Sequence, residues 1–387
     1  MQYDLLIIGG GIQGAGIAQA GAAAGFSVLV LEKTALASGT SSRSSKLIHG
    51  GLRYLESAQL RLVRESLHER ERLLRLAPDL VRLVPFHVPI YRDSQRWAWQ
   101  IRAGLSLYAA LGGLGPNTRF RSVPRSAWDR LDGLRGDGLQ AVFRYFDAQT
   151  DDAALTRAVM HSAQTLGAQL QMPARFVAAQ IEDDGCAVQY RSGDRLHDCR
   201  ARVVVNAAGA WAGEVLAAFT PALPPPRIEL VRGSHLLLPG RLGQGIYYLE
   251  APSDHRAVFA MPYQQHTLFG TTEASHRGSA DSVQASADEV AYLRGIAGHY
   301  FAQWRDVEPL STFAGLRVLP AAPGRAFARS RETLLLCDRQ QRPRVLSVLG
   351  GKLTTYRASA ETVLAALQPW LPARRRKADT RELSLSA

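Results

Sequence analysis

The sequence contains few cysteines and no long apolar run, and each shortage excludes a class of protein. Its three cysteines, Cys186, Cys199 and Cys337, lie too far apart for a zinc site or a disulfide framework. They indicate reduced thiols in a cytoplasmic protein without a metal centre. The best candidate for a membrane span, residues 103–115, has only 13 residues, whereas a spanning helix needs about 20. Because Asp4 interrupts the first apolar run and no small-residue cleavage site follows, no signal peptide is predicted.

Positive charge, by contrast, is abundant. The formal net charge is +12 at pH 7, which is compatible with binding to nucleic acid, an anionic membrane surface or an anionic substrate. A generically basic, arginine-rich surface is the alternative explanation for most of this excess. The 387 residues are enough for two domains or for one large domain with an intruding second one. Apolar residues make up 46% of the chain, so a sizeable core can be buried.

The first 32 residues predict a β-α-β unit. Residues 3–8 and 27–31 are near-continuous apolar runs, as expected for parallel strands that are covered on both faces. An alanine-rich helix is predicted between them over residues 12–24. Gly25 follows directly and is expected to end this helix.

A glycine fingerprint lies at the turn between the first strand and the helix. The pattern Gly-x-Gly-x-x-Gly at residues 9–14 is unspecific alone, but Glu32 at the end of the second strand completes a dinucleotide-binding site. Gly9 would form the tight turn, Gly11 would admit the pyrophosphate, and Gly14 would let the helix pack on the strand. Free N–H groups at the helix start would bind the phosphates. Glu32 would accept hydrogen bonds from the adenosine ribose. This fingerprint serves NAD and FAD alike.

The second half of the chain has a different pattern. Short apolar stretches at residues 233–239, 245–249, 257–262 and 267–272 predict an antiparallel sheet that forms a separate substrate domain. The expected fold class is therefore α/β, with a Rossmann-like cofactor-binding domain and an antiparallel-sheet substrate domain. The cofactor domain is expected to be discontinuous, at about residues 1–76, 145–220 and 310–370, with about 77–144 and 221–309 in the substrate domain and 371–387 as a loose basic tail.

Smaller signals complete the predicted organisation. Pro78, Pro85 and Pro89 are expected to break regular structure after the helix that precedes them. A last helix is expected to open at Gly350, after a buried strand. Further helices are predicted over residues 57–76, 151–166 and 287–301, and further strands over residues 203–205 and 345–349.

Four longer motifs point to one family. Residues 40–56 read TSSRSSKLIHGGLRYLE, residues 233–235 read GSH, residues 270–272 read GTT and residues 350–357 read GGKLTTYR. In this order they resemble the signatures of the FAD-dependent, quinone-linked glycerol-3-phosphate dehydrogenases, which share the glycine/D-amino-acid oxidase-type fold. The resemblance extends from residue 1 to about residue 357 and favours FAD over NAD. Because no Cys or His lies in an evident attachment motif, FAD is expected to be bound non-covalently.

The resemblance also implies which residues surround FAD. The hydroxyl-rich loop at 40–48 would follow the pyrophosphate and the flavin, since hydroxyls and backbone amides suit phosphate. Residues 176–177 would lie by the adenine, and 207–209 would form a close turn beside the dinucleotide. A helix N-terminus at 350–354 would face the pyrimidine end and stabilise the reduced, anionic flavin. The implied cofactor-binding residues are Gly9, Gly11, Ile12, Gln13, Gly14, Glu32, Lys33, Thr40, Ser41, Ser42, Ser45, Lys46, Leu47, Ile48, Phe176, Val177, Ala207, Ala208, Gly209, Trp211, Gly350, Gly351, Lys352, Leu353 and Thr354.

The implied reaction is the oxidation of sn-glycerol 3-phosphate to dihydroxyacetone phosphate, with hydride transfer to flavin N5 and electrons passed to a quinone. Removal of the hydroxyl proton needs a base, and imidazole titrates in a suitable pH range. His49, four residues before Arg53 in the loop that the family places over the flavin, is the first choice. His235 in the GSH motif is a competing candidate.

The substrate phosphate needs cations, preferably arginine forks. Arg317, in the sequence AGLR, matches the phosphate-binding arginine of the family, and a second one is expected at Arg329 or Arg331. Lys352 would contact either substrate or flavin. Tyr54 and Thr272 are expected to line the same pocket.

Several departures from the family pattern leave alternatives open. Leu316 and Val318 flank the arginine where valine and proline are usual, and Glu273 stands where an aspartate is expected after GTT. Family members usually continue into a C-terminal helical domain after the motif at residues 350–357, so oligomerisation, membrane docking and the route to an electron acceptor are open. The alternatives are oxidation of another small hydroxy or amino acid, or a non-catalytic flavoprotein. Nucleic acid is not an expected partner.

One surface segment raises the question of a membrane. Arg96, Trp97, Trp99 and Arg102 precede the apolar stretch at 103–114, and Trp and Arg beside an apolar face suit the lipid headgroup boundary. The expectation is peripheral association with the inner face of the cytoplasmic membrane. A helix that simply covers the substrate domain is the alternative.

Overall fold

The structure is a computed structural model that describes residues 1–321 and 332–386, and these residues form two large β-sheets with helices packed around them. The helices are α1 (Ile12–Ala23), α2 (Leu60–Leu76), α3 (Ala98–Leu111), α4 (Asp152–Thr165), α5 (Ala212–Ala217), α6 (Ala287–Tyr300) and α7 (Tyr356–Leu367). The strands are β1 (Gln2–Ile8), β2 (Val28–Leu31), β3 (Leu47–Ile48), β4 (Val81–Tyr91), β5 (Arg121–Ser122), β6 (Leu139–Thr150), β7 (Gln169–Gln171), β8 (Arg175–Ile181), β9 (Cys186–Ser192), β10 (Arg195–Asn206), β11 (Phe219–Thr220), β12 (Ile228–Leu238), β13 (Ile246–Glu250), β14 (Ala257–Tyr263), β15 (His266–Gly270), β16 (Ala274–His276), β17 (Ser311–Pro320), β18 (Thr333–Cys337) and β19 (Val345–Gly350).

The first sheet is parallel at its centre, in the strand order β19-β10-β1-β2-β7. Strand β1 is buried from its second residue to its last because apolar side chains cover both faces of the sheet. Leu5 lies opposite Val203 on β10 and Val28 on β2. The predicted β-α-β unit and the α/β class are therefore confirmed, and α1 ends one residue earlier than expected.

Helix α1 packs against both α4 and α7 on one face of this sheet. Small residues permit the close approach: a side chain at Gly16 would lie 2.7 Å from the ring of Tyr356 on α7. Helix α4 begins where its sequence predicts, because the Asp151 carboxylate accepts a hydrogen bond from the backbone N–H of Ala154 at 2.8 Å. Helix α1, which follows the glycine fingerprint, is thus packed against two other helices.

The second sheet has the strand order β16-β12-β15-β14-β13-β4-β6-β3, with β17 paired to β12 and β5 paired to β6. The four strands predicted between residues 233 and 272 are present as β12 to β15, and their neighbours along this run are antiparallel. Strand β17 pairs with β12 along its whole length, and β3 pairs with β6. Segments that the sequence assigned to the cofactor domain thus contribute strands to the second sheet.

The expectation that prolines break the region after residue 76 is confirmed for Pro78, which lies in the turn between α2 and β4, and is wrong for Pro85 and Pro89. Strand β4 runs through both Pro85 and Pro89 and pairs with β6 over its full length. On its other side, β4 pairs with β13 only at Phe86 and His87. That edge has few ladder bonds to lose, and prolines are tolerated in strands at such edges.

The expectation of a loose C-terminal tail is also wrong for the described residues. The backbone N–H of Leu385 donates to the carbonyl of Leu76 at 2.7 Å, and that of Lys377 donates to the carbonyl of Ala23 at 2.8 Å. Leu385 is buried in the core that surrounds α1. Apolar anchors and backbone hydrogen bonds therefore outweigh the effect of the four consecutive basic residues at 374–377.

Helix α3 packs on the second sheet with one side and faces solvent with the other. Its buried side includes Leu105 and Tyr108, whereas Trp97 and Trp99 at its start are 70% and 68% exposed. Arg96 is paired with both Glu56 and Glu250. Within the described part of the chain, no helix combines the length and the hydropathy that crossing a bilayer requires.

Candidate active site

The predicted site residues converge on one cavity lined by elements of both sheets. Its volume is about 1030 Å³, and it includes the carboxyl ends of β1 and β10, the edge at which parallel α/β sheets bind their ligands. Predicted cofactor-binding residues in its wall are Gly9, Gly11, Ile12, Gln13, Glu32, Lys33, Thr40, Ser41, Ser45, Leu47, Phe176, Val177, Ala207, Ala208, Gly209, Trp211, Gly350, Gly351, Lys352, Leu353 and Thr354. The predicted substrate-side residues in its wall are His49, Arg53, Tyr54, His235, Arg317 and Lys352. The predicted residues outside its wall are Gly14, Ser42, Lys46, Ile48 and Thr272.

Two glycines of the fingerprint, Gly9 and Gly14, leave no room for a side chain. Gly9 has a φ of +113°, and a Cβ there would lie 2.6 Å from the carbonyl oxygen of Ala207. A Cβ at Gly14 would lie 1.9 Å from the carbonyl oxygen of Gly9. The Glu32 carboxylate accepts hydrogen bonds from the N–H groups of Gly10 at 2.7 Å and Thr34 at 2.8 Å. Because a carboxylate has about four acceptor positions, it can still receive a ribose hydroxyl. This cradle fits the dinucleotide that the fingerprint predicts.

Substitution of Gly14 by alanine is expected to abolish FAD binding and to lower the yield of folded protein. The added methyl group cannot coexist with the Gly9 carbonyl, so the turn and α1 must separate. The matched control is Gly104→Ala on α3, where a Cβ meets nothing within 4 Å and alanine favours the helix. The measurement is the flavin-to-protein absorbance ratio of both purified variants, and a normal ratio for Gly14→Ala would contradict the expected close packing.

The hydroxyl-rich loop at 40–48 divides between the cavity and the core. Ser41 Oγ accepts the backbone N–H of Ile12 at 2.9 Å, and Thr40 Oγ1 donates to the carbonyl of Leu316 at 2.6 Å. Lys46 does not face the cavity with its side chain. Its ammonium group lies 2.6 Å from the Asp152 carboxylate in a buried ion pair. The Lys46 side chain thus anchors the loop to α4, and a cofactor contact at this position stays a prediction.

The segment at 350–354 is a loop and not the first turn of a helix. Gly350 and Gly351 have φ values of +70° and +83°, which a right-handed helix cannot contain, and α7 begins at Tyr356. A Cβ at Gly351 would lie 2.3 Å from Gln13 Nε2. Gln13 Oε1 is buried and has no hydrogen-bond partner among the described residues. An orphaned acceptor in the cavity wall is what a hydrogen-bond-donating cofactor would satisfy.

One end of the cavity is bordered by a polar cluster that joins the two halves of the molecule. The Lys33 ammonium lies 2.7 Å from Asp281 and 4.0 Å from the centroid of the Trp211 ring. Trp211 Nε1 donates to the same carboxylate at 3.0 Å. The Phe176 ring packs on Phe219 at 5.4 Å, beside the place that the resemblance assigns to the adenine.

On the substrate side, two cations lie against one tyrosine ring. Lys352 Nζ is 4.0 Å and the Arg53 guanidinium is 4.7 Å from the centroid of Tyr54, which is itself 4% exposed. The backbone N–H of His49 donates to Thr354 Oγ1 at 3.2 Å. The loop that carries His49, the first-choice base, is therefore hydrogen-bonded directly to the segment at 350–354.

The two candidate bases lie in different environments. His235 is 1% exposed, stacks on Phe313 at 4.9 Å, and has Nε2 3.0 Å from Ser45 Oγ. Burial, with the charges of Arg317 and Lys46, lowers the pKa of His235 to about 3. Its ring is therefore neutral in the physiological range, and its Nδ1 is buried without a partner among the described residues. His49 is only half-buried and packs edge-on against Phe259.

The predicted phosphate-binding arginine lies in a charged cluster. Arg317 Nη1 is 2.8 Å from Glu273 Oε1, and Arg317 Nη2 donates to Thr271 Oγ1 at 3.1 Å. The other carboxylate oxygen of Glu273 is 3.6 Å from the guanidinium of Arg256. Gly233 permits this arrangement, since a Cβ there would lie 2.8 Å from Arg317 Nη2.

Sequence reasoning did not predict three members of this cluster as site residues. Arg256, Thr271 and Glu273 all line the cavity. Thr272 does not, because its Oγ1 donates to Glu289 at 2.6 Å and accepts the N–H of Ser234 at 2.8 Å. Both threonines of the GTT motif follow the end of β15 at Gly270, so strand alternation does not distinguish them, and no motif marks Arg256. The expected second arginine, Arg329 or Arg331, lies outside the described residues.

Comparisons with known proteins agree with this site. Residues 4–357 match the FAD dependent oxidoreductase family. The chain is 40% identical to the glycerol-3-phosphate dehydrogenase of Pseudomonas aeruginosa over 382 residues, covering 95% of this chain and 72% of that one. It is 37% identical to the D-erythritol 1-phosphate dehydrogenase of Brucella abortus over 376 residues, covering 95% and 74%. The solved glycerol-3-phosphate dehydrogenase of Bacillus halodurans, complexed with FAD, superposes with a TM-score of 0.77 at 27% identity, covering 100% of this chain and 68% of that one. The chain thus belongs to the FAD dependent oxidoreductase family, in the group that includes the glycerol-3-phosphate dehydrogenases, and FAD is its cofactor.

Proposed function

We propose that the enzyme oxidises sn-glycerol 3-phosphate to dihydroxyacetone phosphate and passes the electrons to a quinone. The observation that carries the proposal is that one cavity is lined by both the dinucleotide cradle and the polar side chains of His49, Arg53, Lys352 and Arg317. The name of the Pseudomonas relative at 40% identity supports the same substrate.

Each substrate-side residue has a task in this reaction. Arg317 would bind the phosphate through paired, charge-assisted N–H···O bonds. His49 would accept the proton of the C2 hydroxyl, and Lys352 and Arg53 would supply positive charge that favours loss of this proton. FAD, when bound, supplies the acceptor for the C2 hydride.

Anaerobic flavin bleaching tests the proposal. Glycerol 3-phosphate added to the FAD-loaded enzyme without oxygen should remove the visible flavin absorbance, whereas glycerol should not. Bleaching by glycine or a small hydroxy acid instead would indicate another substrate, and no bleaching by any of them would indicate a non-catalytic flavoprotein. Reoxidation by a ubiquinone analogue faster than by oxygen would support the quinone as acceptor.

A longer polyol phosphate is the second candidate substrate. The Brucella relative, at 37% identity, is named for D-erythritol 1-phosphate, which has the same terminal phosphate and adjacent secondary hydroxyl in a longer chain. Bleaching by D-erythritol 1-phosphate at a higher rate than by glycerol 3-phosphate would favour this alternative, and both share the anion site at Arg317.

FAD is expected to be bound non-covalently. Among the described residues that line the cavity there are two histidines, His49 and His235, and no cysteine, and neither histidine lies in an evident attachment motif. Acid precipitation should therefore release all of the yellow colour into the supernatant. Flavin that stays with the protein pellet after washing would contradict this expectation.

We also propose peripheral association with the cytoplasmic face of a membrane, through the start of α3. Trp97 and Trp99 are exposed there, and Leu107 is exposed further along the helix. A lipid-soluble acceptor requires access to lipid. Arg96 is not available as expected, because Glu56 and Glu250 pair with it. Arg102 also contacts the protein, with its guanidinium 5.7 Å from the centroid of Phe143. The two tryptophans therefore carry this proposal.

The protein is expected to sediment with anionic vesicles at low salt. It should sediment less at 1 M salt, because the Debye length, over which charges attract each other, falls to about 3 Å. Trp97→Glu with Trp99→Glu should reduce sedimentation and leave dye-linked turnover intact. Leu196→Glu with Leu310→Glu is the matched control, because it changes the charge equally at exposed apolar residues on other elements. Equal recovery in the supernatant with and without vesicles would indicate a soluble acceptor.

A further inference from the structure

A buried polar network ends on the loop that carries His49. Tyr108 on α3 accepts the backbone N–H of Gly50 at 2.8 Å and donates its own hydroxyl proton to Asp147 at 2.6 Å. Arg70 on α2 donates to the other carboxylate oxygen of Asp147 at 2.6 Å and to the carbonyl of Phe146 at 3.0 Å. Tyr108 is 1% exposed, and the side chains of Arg70 and Asp147 are fully buried.

The network lies outside the cavity, since neither Tyr108, Asp147 nor Arg70 lines it. A buried ion pair is a weak source of stability, because the cost of desolvating both charges offsets their attraction. What the three residues provide is a fixed hydroxyl. Burial raises the pKa of Tyr108 well above its usual value, so the phenol stays protonated and its oxygen remains an acceptor for an amide.

The backbone N–H that Tyr108 accepts is that of Gly50, in the loop that carries His49. Strand β3 pairs with β6 through Leu47 and Ile48, and the chain then leaves the sheet at His49. Gly50 fits only without a side chain, because a Cβ there would lie 2.6 Å from the Tyr108 hydroxyl and 2.8 Å from Leu67. Gly51 follows with a φ of +81° and starts the turn that carries Arg53 and Tyr54.

We propose that Tyr108 is a positioning residue for the reaction. Its hydroxyl, which Asp147 and Arg70 hold in place, fixes the position of the Gly50 backbone. The Gly50 backbone in turn places His49 and Arg53 in the cavity wall. The proposal rests on the proposed function, in which His49 accepts the substrate proton. Residues on α2, α3 and β6 thus determine the position of the loop that carries His49, although none of these residues is itself proposed to be catalytic.

The test compares Tyr108→Phe with Tyr91→Phe. Tyr91 is the matched control, because it is also buried, at 3% exposure, and donates one hydrogen bond, to the carbonyl of Arg135 at 2.7 Å, in the other core of the second sheet. Both variants should lose thermal stability and retain FAD. At saturating glycerol 3-phosphate, Tyr108→Phe should reduce its flavin at least about tenfold more slowly than the wild type, with KM little changed because the anion site is untouched. Tyr91→Phe should stay within about twofold of the wild-type rate.

Equal reduction rates in the two variants would overturn the proposal and leave the network a purely structural role. Bleaching of the wild type by glycerol 3-phosphate separately decides the proposed function, and the same ratio is measured with D-erythritol 1-phosphate if that reduces the flavin instead. If Tyr108→Phe does not fold, or no substrate reduces the wild type, hydrogen–deuterium exchange of the FAD-loaded wild type decides. Peptides that cover Gly50 should exchange as slowly as those from β6, and rapid exchange at Gly50 would overturn the proposal.

Discussion

Replacement of His49 by asparagine is expected to slow flavin reduction by glycerol 3-phosphate by about 10²–10⁴-fold, the usual contribution of a general base. Asparagine retains the size and a hydrogen-bonding group but cannot accept a proton at neutral pH. The backbone hydrogen bond from His49 to Thr354 does not involve the imidazole, so FAD content should be unchanged. The measurement is the stopped-flow rate of flavin bleaching at saturating substrate.

The matched control is His235→Asn, which separates the two candidate bases. The pKa of His235 is lowered to about 3, so this ring does not change charge between pH 5 and pH 9. A fall in rate as the pH decreases from pH 9 to pH 5 must therefore come from another group. That fall should persist in His235→Asn and disappear in His49→Asn. A larger loss of rate in His235→Asn than in His49→Asn would show that the assignment of the base is wrong.

The sequence predicts the local parts of this fold better than its long-range pairings. The β-α-β unit is identified because the apolar runs, the glycines and Glu32 all lie within 32 residues. Together they are compatible with the β-α-β arrangement. Strand β4 escapes prediction because Pro85 and Pro89 normally oppose strands. What permits them is the short pairing with β13, more than 150 residues later in the chain, which no local pattern reveals.

The same distinction applies to the candidate site. Motif positions such as Gly9, His49 and Gly350 converge on the cavity, because the resemblance carries long-range information that a single sequence lacks. Arg256 is absent from every motif, and only the folding of β14 beside β15 brings it to Glu273. Lys46 belongs to a cofactor motif, yet its ammonium group forms an ion pair with Asp152. Which neighbour a cation selects depends on tertiary distances that spacing does not encode.

Strand β17 connects the proposed anion site with the cofactor cradle. Arg317 projects from it toward Glu273, while the adjacent Leu316 carbonyl accepts the hydroxyl of Thr40 at 2.6 Å. Gly315 adjoins the same loop, since a Cβ there would lie 2.9 Å from the carbonyl of Arg43. One short segment therefore contacts both the hydroxyl-rich loop and the substrate side.

Replacement of Arg317 by alanine is accordingly expected to raise the KM for glycerol 3-phosphate far more than it changes FAD content. Truncation of one partner of a sheltered charge pair costs about 2–5 kcal/mol, which corresponds to about 30-fold to several thousand-fold in affinity. The upper part of this range is expected, because the Glu273 side chain is 5% exposed and would lie near the substrate phosphate without the positive charge of Arg317 beside it. The loss thus combines a missing attraction with a new repulsion.

The double variant Arg317→Ala with Glu273→Gln tests this division, because it removes the repulsion without restoring the attraction. Its KM should lie between those of the wild type and of Arg317→Ala, while Arg339→Ala, on the surface beside Asp338, should leave KM unchanged. Steady-state kinetics with an artificial dye acceptor measures all four proteins, and the flavin spectrum reports their FAD content. Should the wild type oxidise glycerol as efficiently as glycerol 3-phosphate, the cluster at Arg317 does not recognise the substrate phosphate, and the anion site proposed for it is wrong.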